Sequence, residues 1–371
     1  MTDGVVSPEP WASRGPSRGT APASSLPSHS PPHSTSREKA LQPKPFTTTI
    51  PYNCAVFEGL SIPTPFQIGR VNAYVAGRTV VDPGPASEEA WSALLTELEA
   101  RNLDPEDVEQ ILVTHPHPDH FGLAKRFRDR GARVVASAPA ATIIGGFADR
   151  LTYEQRYFRD FFQRHGMPES TARTVTELPE AYIEYAPDVD TDRILEPGDD
   201  VTVAGVKLDV DAVTGHAPGE LTFAYEHEDE RRAIVGDNVL PTITPNPFLQ
   251  PPMTEGGERA RILPSFNESL HELRDRGYDR MLPGHREIID DPAARIDEIL
   301  AAHEDRTADV LELVDDPTTA VDVMNGLFED LPATEQFSGM SEAVGHLDVL
   351  EARGLVTRRE QGGMVLYERT A

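Results

Sequence analysis

Cysteine and lysine are the scarcest reactive residues of this sequence. Its 371 residues include a single cysteine, Cys54, and four lysines, Lys39, Lys44, Lys125 and Lys207. One cysteine excludes an internal disulfide and a cysteine-rich metal site, and it is typical of a protein from a reducing compartment. We therefore expect a cytoplasmic protein.

Long apolar runs are also missing. No stretch reaches the roughly 18 consecutive apolar residues that a membrane-spanning helix requires. The N-terminal region lacks the apolar core of a secretion signal. We therefore expect neither a membrane span nor export.

Positive charge is scarce as well. The sequence has 34 Lys and Arg residues against 62 Asp and Glu residues, which gives a formal net charge of -28. An acidic surface poor in lysine stays hydrated at high salt, where ions screen its self-repulsion. These features favour the hypothesis of a halophilic host over that of an ordinary acidic cytosolic protein.

The chain divides into three regions by composition and pattern. Residues 1–45 are rich in Pro, Ser, Thr and Ala with almost no aliphatic side chains, which predicts a disordered tail. Residues 46–300 alternate strand and helix patterns, and this length can bury a sizeable core. A short helix is predicted to begin after Asp104 as its N-cap, and residues 147–181 predict a helical insertion rich in Tyr and Phe.

Residues 301–371 predict a smaller, winged-helix-like domain. A helix over residues 341–353 ends at Gly354, and two short strands then flank Gln361, Gly362 and Gly363. A winged helix suggests nucleic acid, but residues 315–371 carry a formal charge of -7, with only Arg358 and Arg359 forming a small basic patch. Since phosphate contacts supply most nucleic-acid affinity, we expect a structural element or a wall of the substrate pocket.

The loop "THPHPDHFG" concentrates potential metal ligands after a buried strand. His115, His117, Asp119 and His120 occupy six consecutive positions, and two prolines stiffen the loop between them. Imidazole and carboxylate are the ligands that a borderline divalent cation such as zinc prefers. A solvated His-rich loop is the alternative explanation for such a motif.

Three further polar residues follow apolar strands later in the chain. His216, Asp237 and His285 each lie in or beside a glycine turn, where side chains are presented at the edge of a sheet. Each would be an ordinary turn residue if taken singly. Taken with the loop, the four strand ends predict one site that holds two cations.

This pattern resembles that of the metallo-β-lactamase superfamily, over about residues 55–300. The resemblance implies an αββα sandwich with a metal centre at the sheet edge, here followed by the C-terminal winged helix. It assigns His115, His117 and His216 to a first metal and Asp119, His120 and His285 to a second, with Asp237 bridging the two. It also implies that Asp82, in "VVDPG", supports the centre without being a ligand.

Two neighbouring cations would activate a shared water and polarise a carbonyl or phosphoryl oxygen. Metal-bound hydroxide is then the nucleophile, and we expect Asp119 to act catalytically by orienting it and passing a proton to the leaving group. The ligand set suits zinc best, with iron or manganese as alternatives. The branch that resembles glyoxalase II and β-lactamase-like protein 2 suggests a small ester or thioester as substrate.

Two other functions stay open at this point. The first is a metal-dependent endoribonuclease or other phosphodiesterase, and the second is a non-catalytic winged-helix regulator, which the complete ligand set disfavours. For the helical insertion, ordinary packing competes with a lid over the metals. In the lid hypothesis, Arg156 or Arg164 would meet an anionic substrate tail.

Overall fold

The structure is a computed structural model that describes residues 57–315 and 317–370, so the predicted tail over residues 1–45 lies outside the described residues. The first sheet has six strands in the order of the chain: β1 (Glu58–Ile62), β2 (Val71–Ala76), β3 (Thr79–Val81), β4 (Gln110–Leu112), β5 (Arg133–Ser137) and β6 (Arg193–Leu195). The β1–β2 and β2–β3 pairs are antiparallel, whereas β3 to β6 run parallel.

Helices accompany this first sheet. They are α1 (Glu88–Glu99), α2 (Pro118–Phe121), α3 (Ala124–Arg128), α4 (Ala138–Ile144), α5 (Phe147–Arg164) and α6 (Glu169–Glu177), with 3-10 turns at Pro105–Asp107 and Leu178–Tyr185. Helix α1 begins where the Ser87 side chain accepts the backbone N–H of Ala90, and it buries Leu94 and Leu98, one turn apart. Asp104 precedes the first 3-10 turn as predicted, but its side chain makes no capping hydrogen bond.

The second sheet has five strands in the spatial order β11-β10-β9-β8-β7. They are β7 (Asp200–Val203), β8 (Val206–Val213), β9 (Glu220–His227), β10 (Glu230–Gly236) and β11 (Arg280–Pro283). Helices α7 (Ile262–Asp275) and α8 (Pro292–Leu313) accompany it. All pairs in this sheet are antiparallel except β10–β11, which is parallel.

The two sheets pack face to face with helices outside, which is the predicted αββα sandwich. Between the sheets, Val81 and Leu112 of the first sheet share one core with Leu208, Phe223 and Ile234 of the second. Each sheet also has an outer core with its helices. Burial on both faces explains why residues 111–113, which overlap the end of β4, form a short, uninterrupted apolar run.

The C-terminal segment continues with α9 (Ala320–Leu327), α10 (Gln336–Ala352) and a hairpin of β12 (Val356–Gln361) and β13 (Met364–Arg369). The predicted helix, the stop at Gly354 with its φ of +69° and the terminal hairpin are all present. Together with α8, these elements make three helices followed by a hairpin, which is the element order of the predicted winged helix; the winged helix itself stays a prediction. The predicted boundary at residue 300 falls within α8.

The C-terminal segment shares a core with α5 and α6. Phe158 and Phe162 of α5 are buried with Val310, Met340 and Tyr367 from the C-terminal elements. The described residues belong to one compact unit. Among them, no helix is both long and apolar enough to cross a membrane.

Candidate metal centre

The predicted site residues lie at one common edge of the sandwich. β3 runs parallel to β4, and β8, β10 and β11 share one direction, so each group of strands presents its carboxyl ends together. The segments that leave these strands carry Asp82, His115, His117, Asp119, His120, His216, Asp237 and His285, with Asp119 and His120 in the short helix α2 and the others in loops. The structure therefore brings together all seven predicted ligands and the predicted supporting aspartate.

One half of the cluster consists of His115, His117 and His216. One ring nitrogen from each lies within 4.8 Å of the others. Nδ1 of His117 is 2.9 Å from Nε2 of His216, and the His115 ring is 4.7 Å and 5.2 Å from these two rings, centroid to centroid. Three converging imidazoles are a common protein ligand set for zinc.

The other half consists of Asp119, His120 and His285, whose ligand atoms also lie within 4.8 Å of one another. Oδ2 of Asp119 is 3.4 Å from Nε2 of His285 and 4.0 Å from Nε2 of His120. Two imidazoles and one carboxylate form the ligand set predicted for the second cation.

Asp237 lies between the two halves. Its Oδ1 is 3.5 Å from Nε2 of His120, and its Oδ2 is 3.6 Å from Nε2 of His216 and 3.3 Å from Nε2 of His285. A single carboxylate thus faces a ligand atom from each triad. This is the position that a bridging ligand would occupy.

These residues fit a pair of divalent cations. Nitrogen and oxygen ligands that share one tetrahedral zinc ion lie about 3.4 Å apart, close to the spacings around Asp237. The buried Nε2 atoms of His115, His120 and His285 and Oδ1 of Asp237 have no hydrogen-bond partner among the described residues. Since unsatisfied buried polar atoms are costly, the convergence of these four atoms at one place fits a ligand between them.

Hydrogen bonds outside the cluster orient three of its imidazoles. Nδ1 of His285 donates to the carbonyl of Arg70 at 2.7 Å, and Nδ1 of His120 lies 3.0 Å from Oδ2 of Asp82. Nδ1 of His115 lies 3.0 Å from the hydroxyl of Thr114. With Nδ1 occupied in this way, Nε2 of each ring faces the site, and its lone pair becomes available to a metal when the ring is neutral.

Asp82 has the supporting position that the resemblance implies. Its Oδ1 accepts the backbone N–H of Thr114 at 2.8 Å, and its Oδ2 accepts the hydroxyl of Thr114 at 2.6 Å. The same Oδ2 faces His120, so both carboxylate oxygens are already engaged within the protein. We therefore place Asp82 behind the ligands rather than among them.

Burial and neighbouring charges lower the pKa of some histidines of the cluster and raise the pKa of another. Burial, reinforced by neighbouring imidazoles, lowers the pKa of His115 well below its usual range, and burial with His216 nearby lowers the pKa of His117 to about 3. Burial also opposes charge on His285, but the Asp237 and Asp119 carboxylates outweigh it and raise its pKa to about 10. Burial likewise opposes ionisation of Asp237, but the cationic histidines hold the pKa of Asp237 well below its usual range. The carboxylates therefore stay ionised and favour positive charge at the centre.

Glu220 is a buried residue whose role the sequence did not reveal. Its Oε2 accepts the backbone N–H of His216 at 2.9 Å and an amide N–H of the Asn238 side chain at 3.2 Å. Burial raises the pKa of Glu220 to about 8. Glu220 thus connects the loop of His216 to the loop of Asp237 from behind the site, which makes it a positioning residue and not a substrate contact.

The accessible side of the cluster is next to His117. His117 is half-buried, whereas the other six predicted ligands are buried. The half-buried ring of Phe248 lies 5.5 Å from the His216 ring and 6.3 Å from the His117 ring, centroid to centroid. In the sequence, Phe248 is only a lone aromatic residue in a Pro-rich segment, so sequence reasoning missed it.

The aromatic side chains of α5 pack into the C-terminal core and do not cover the histidines. Phe158 and Phe162 lie 4.9 Å and 5.5 Å from Phe337 of α10. The predicted lid is therefore wrong for α5, because α10 needs this apolar face to form a core. Of the two proposed anion contacts, Arg156 pairs with Glu255 and Arg164 pairs with Glu360.

Within residues 57–315 and 317–370, the other histidines have surface or packing positions. Those buried away from the cluster are His165, His303 and His346, and those with more exposure are His227 and His271. None of them belongs to a group of potential metal ligands among the described residues.

Comparison with known proteins agrees with the sandwich and the cluster at its edge. Together these two features define a metal-dependent hydrolase. The family model described as the metallo-beta-lactamase superfamily matches residues 68–285, a span that includes all seven predicted ligands. The chain belongs to this superfamily.

Several relatives extend the similarity along the chain. The probable metallo-hydrolase YqjP of Bacillus subtilis (strain 168) is 31% identical over 83% of this chain and 96% of its own length. A beta-lactamase-like protein 2 homolog of Caenorhabditis elegans is 24% identical over 73% of this chain and 75% of its own length.

Solved structures show the same fold. A metallo-beta-lactamase family protein of Thermus thermophilus is 30% identical and has a TM-score of 0.70, covering 85% of this chain and 98% of that one. A beta-lactamase domain protein of Burkholderia ambifaria is 25% identical with a TM-score of 0.70, over 88% and 97% of the two chains. These alignments cover more of the chain than the family model does.

Proposed function

We propose that the protein hydrolyses a small ester or thioester, such as a hydroxyacyl thioester, and that phosphodiester cleavage is the less favoured activity. The observation that carries this choice is that the side chains of the C-terminal arginines are already paired within the protein. Arg353 pairs with Glu304, Arg358 with Glu351, and Arg359 with Glu368, while Arg369 donates to backbone carbonyls. In a segment of net negative charge, these pairs offer little to a phosphate backbone.

We assign the chemistry as follows. Cations held by the two triads and Asp237 would supply an activated water and polarise the scissile carbonyl. Asp119 takes the proton that the attacking water loses and returns it to the leaving alcohol or thiol. Two neighbouring imidazoles favour its ionised form, because His120 and His285 outweigh the effect of burial and lower the pKa of Asp119.

We further propose zinc as the metal, since five imidazoles and two carboxylates form a borderline ligand set. The lone cysteine supports a reducing, cytoplasmic location. The net charge of -28 supports adaptation to high salt, so the urea midpoint of unfolding is expected to rise from dilute to molar KCl. An equal midpoint in both would contradict the halophilic proposal.

The deciding experiment compares two substrates on the same protein. The full chain, in molar KCl and with its metals quantified by mass spectrometry, is assayed against a 2-hydroxyacyl thioester and against single-stranded RNA. We expect thioester hydrolysis that requires metal. Cleavage of RNA alone would overturn the proposed substrate class.

Variants test whether the proposed ligands carry the activity. His117→Ala and Asp237→Asn are expected to lose both bound metal and hydrolysis. His271→Ala is the matched control, because His271 is exposed and lies outside the cluster. A metal-free variant that retains the full rate would exclude this mechanism.

A further inference from the structure

His117 is the most accessible of the seven predicted ligands. It is half-buried and the other six are buried, so the cluster is most open on the side of His117. Phe248 lies at that side, with its ring tilted by 77° to the His117 ring and by 58° to the His216 ring. An aromatic surface therefore borders the approach to the first triad.

The loop that carries Phe248 is held by the C-terminal segment. The backbone N–H of Leu249, the next residue, donates to Oγ of Ser341 at 3.1 Å. The side-chain amide of Asn246 donates to the carbonyl of Ser338 at 3.4 Å. Both acceptors belong to α10, so this helix sets the position of the Phe248 loop on its two sides.

Helix α10 also extends the aromatic surface. The half-buried ring of Phe337 lies 6.2 Å from Phe248, and it is backed by Phe158 and Phe162 of α5. A chain of rings thus runs from His216 through Phe248 to Phe337. Partly exposed aromatic rings next to a catalytic site favour a flat apolar ligand, because ring-on-ring contact adds to the gain from apolar burial.

We infer that the substrate carries an aromatic or comparably bulky apolar group beside its scissile bond, and that Phe248 binds this group. Helix α10 acts through Phe337 and the Phe248 loop as a specificity-determining wall. The inference deepens the proposed function and rests on it for the ester or thioester bond. The same apolar group could be part of the acyl side or of the thiol side of the thioester, and the experiment distinguishes these two positions.

The experiment measures discrimination between matched thioesters by the metal-loaded full chain. For the acyl side, the phenylacetyl and acetyl thioesters of N-acetylcysteamine are compared; for the thiol side, the S-benzyl and S-ethyl thioesters of acetate are compared. We expect the ring-bearing member of one pair to have a kcat/KM about tenfold or more above its small partner. The pair that shows the preference identifies the side.

Variants separate recognition from folding. Phe248→Ala is expected to lower kcat/KM for the ring-bearing member by about tenfold and so to remove most of that preference. Phe248→Leu, which keeps apolar bulk, is expected to retain part of it. Phe328→Ala is the control, because Phe328 is also a half-buried aromatic residue of the C-terminal core but is not in the ring chain.

A binding measurement keeps the inference independent of turnover. Calorimetric titration compares phenylacetate with acetate for the acyl side and phenylmethanethiol with ethanethiol for the thiol side. The ring-bearing member of one pair is expected to bind the parent protein more tightly, and the two members of that pair are expected to bind Phe248→Ala equally. Equal binding within both pairs by the parent protein, or equal losses for both thioesters in Phe248→Ala, would overturn the inference. Tighter binding of a ring-bearing ligand without hydrolysis of any thioester would instead overturn the proposed function alone.

Discussion

Nδ1 of His120 lies 3.0 Å from Oδ2 of Asp82, and both side chains are buried. We expect Asp82→Asn to lower zinc affinity by about ten- to a hundredfold, because the amide removes the charge that orients the His120 ring. Competition with a chromophoric chelator measures the affinity. Asp104→Asn is the control, since Asp104 is exposed and its side chain caps nothing. Equal zinc affinities for the parent protein, Asp82→Asn and Asp104→Asn would show that Asp82 does not support the site.

Glu220 connects two ligand loops through hydrogen bonds to His216 and Asn238. Glu220→Ala leaves a buried N–H without an acceptor, so we expect a loss of about 1–3 kcal/mol in the free energy of unfolding. Glu220→Gln keeps one acceptor oxygen and is expected to lose less. Urea unfolding and zinc titration are measured together. A Glu220→Ala variant with unchanged stability and unchanged zinc affinity would refute the positioning role.

His303 makes stability depend on pH at a distance from the metal cluster. Burial and the neighbouring His346 ring lower the pKa of His303 to about 4, and its Nδ1 lies 2.7 Å from Oδ1 of Asn267. The nearby acidic groups are Glu342 and Glu304, which favour the protonated form but do not reverse the shift.

Between pH 6.5 and about 4, the unfolded chain binds a proton that folded His303 does not, so stability falls as pH falls. The contribution is up to about 3 kcal/mol. We expect His303→Asn to unfold with a smaller pH dependence in this window than the parent protein. The control, His271→Ala, changes an exposed histidine. The same slope in His303→Asn as in the parent would exclude His303 as the source.

Arg259 and Asp348 form a buried, two-pronged ion pair that joins the segment before α7 to α10. Both N–O distances are 2.8 Å, and the Asp348 side chain is 2% exposed. Removing one partner leaves an uncompensated buried charge, so Arg259→Ala is expected to lose about 3–5 kcal/mol of stability.

The double variant Arg259→Met with Asp348→Leu is expected to recover most of that loss, because neither charge is then left buried alone. Chemical unfolding of the single and double variants measures the difference. Arg274→Ala, which breaks the exposed pair with Asp297, is the control and is expected to change stability by about 1 kcal/mol or less. A double variant as unstable as Arg259→Ala would contradict this account.

Much of the candidate site could be predicted because its chemistry is local in the chain. Four ligands follow one strand within six positions, and three more follow apolar strands at glycine turns, so periodicity and residue type locate them. Glu220 and Phe248 could not be found in this way. Their roles depend on contacts with Asn238 and Phe337, which only tertiary packing brings near.

Of the two alternatives for the helical insertion, ordinary packing rather than a lid holds for α5, for a related reason. The spacing of Phe158 and Phe162 on α5 predicts an apolar face, but a pattern along one helix does not say which element covers that face. In the folded protein, α10 covers it.

The sequence by itself determined the alternation of strands and helices, the strand ends that carry imidazoles and carboxylates, and the excess of acidic residues, because backbone periodicity, ligand chemistry and charge are properties of residues in order. The αββα sandwich was expected from the family resemblance that these residues carry. Only the tertiary structure decided the distances from Asp237 to the two triads and the contacts by which α10 positions Phe248 beside the exposed edge of His117. Distances between residues far apart in the chain are set by how the sheets and helices pack, and packing depends on all of them at once.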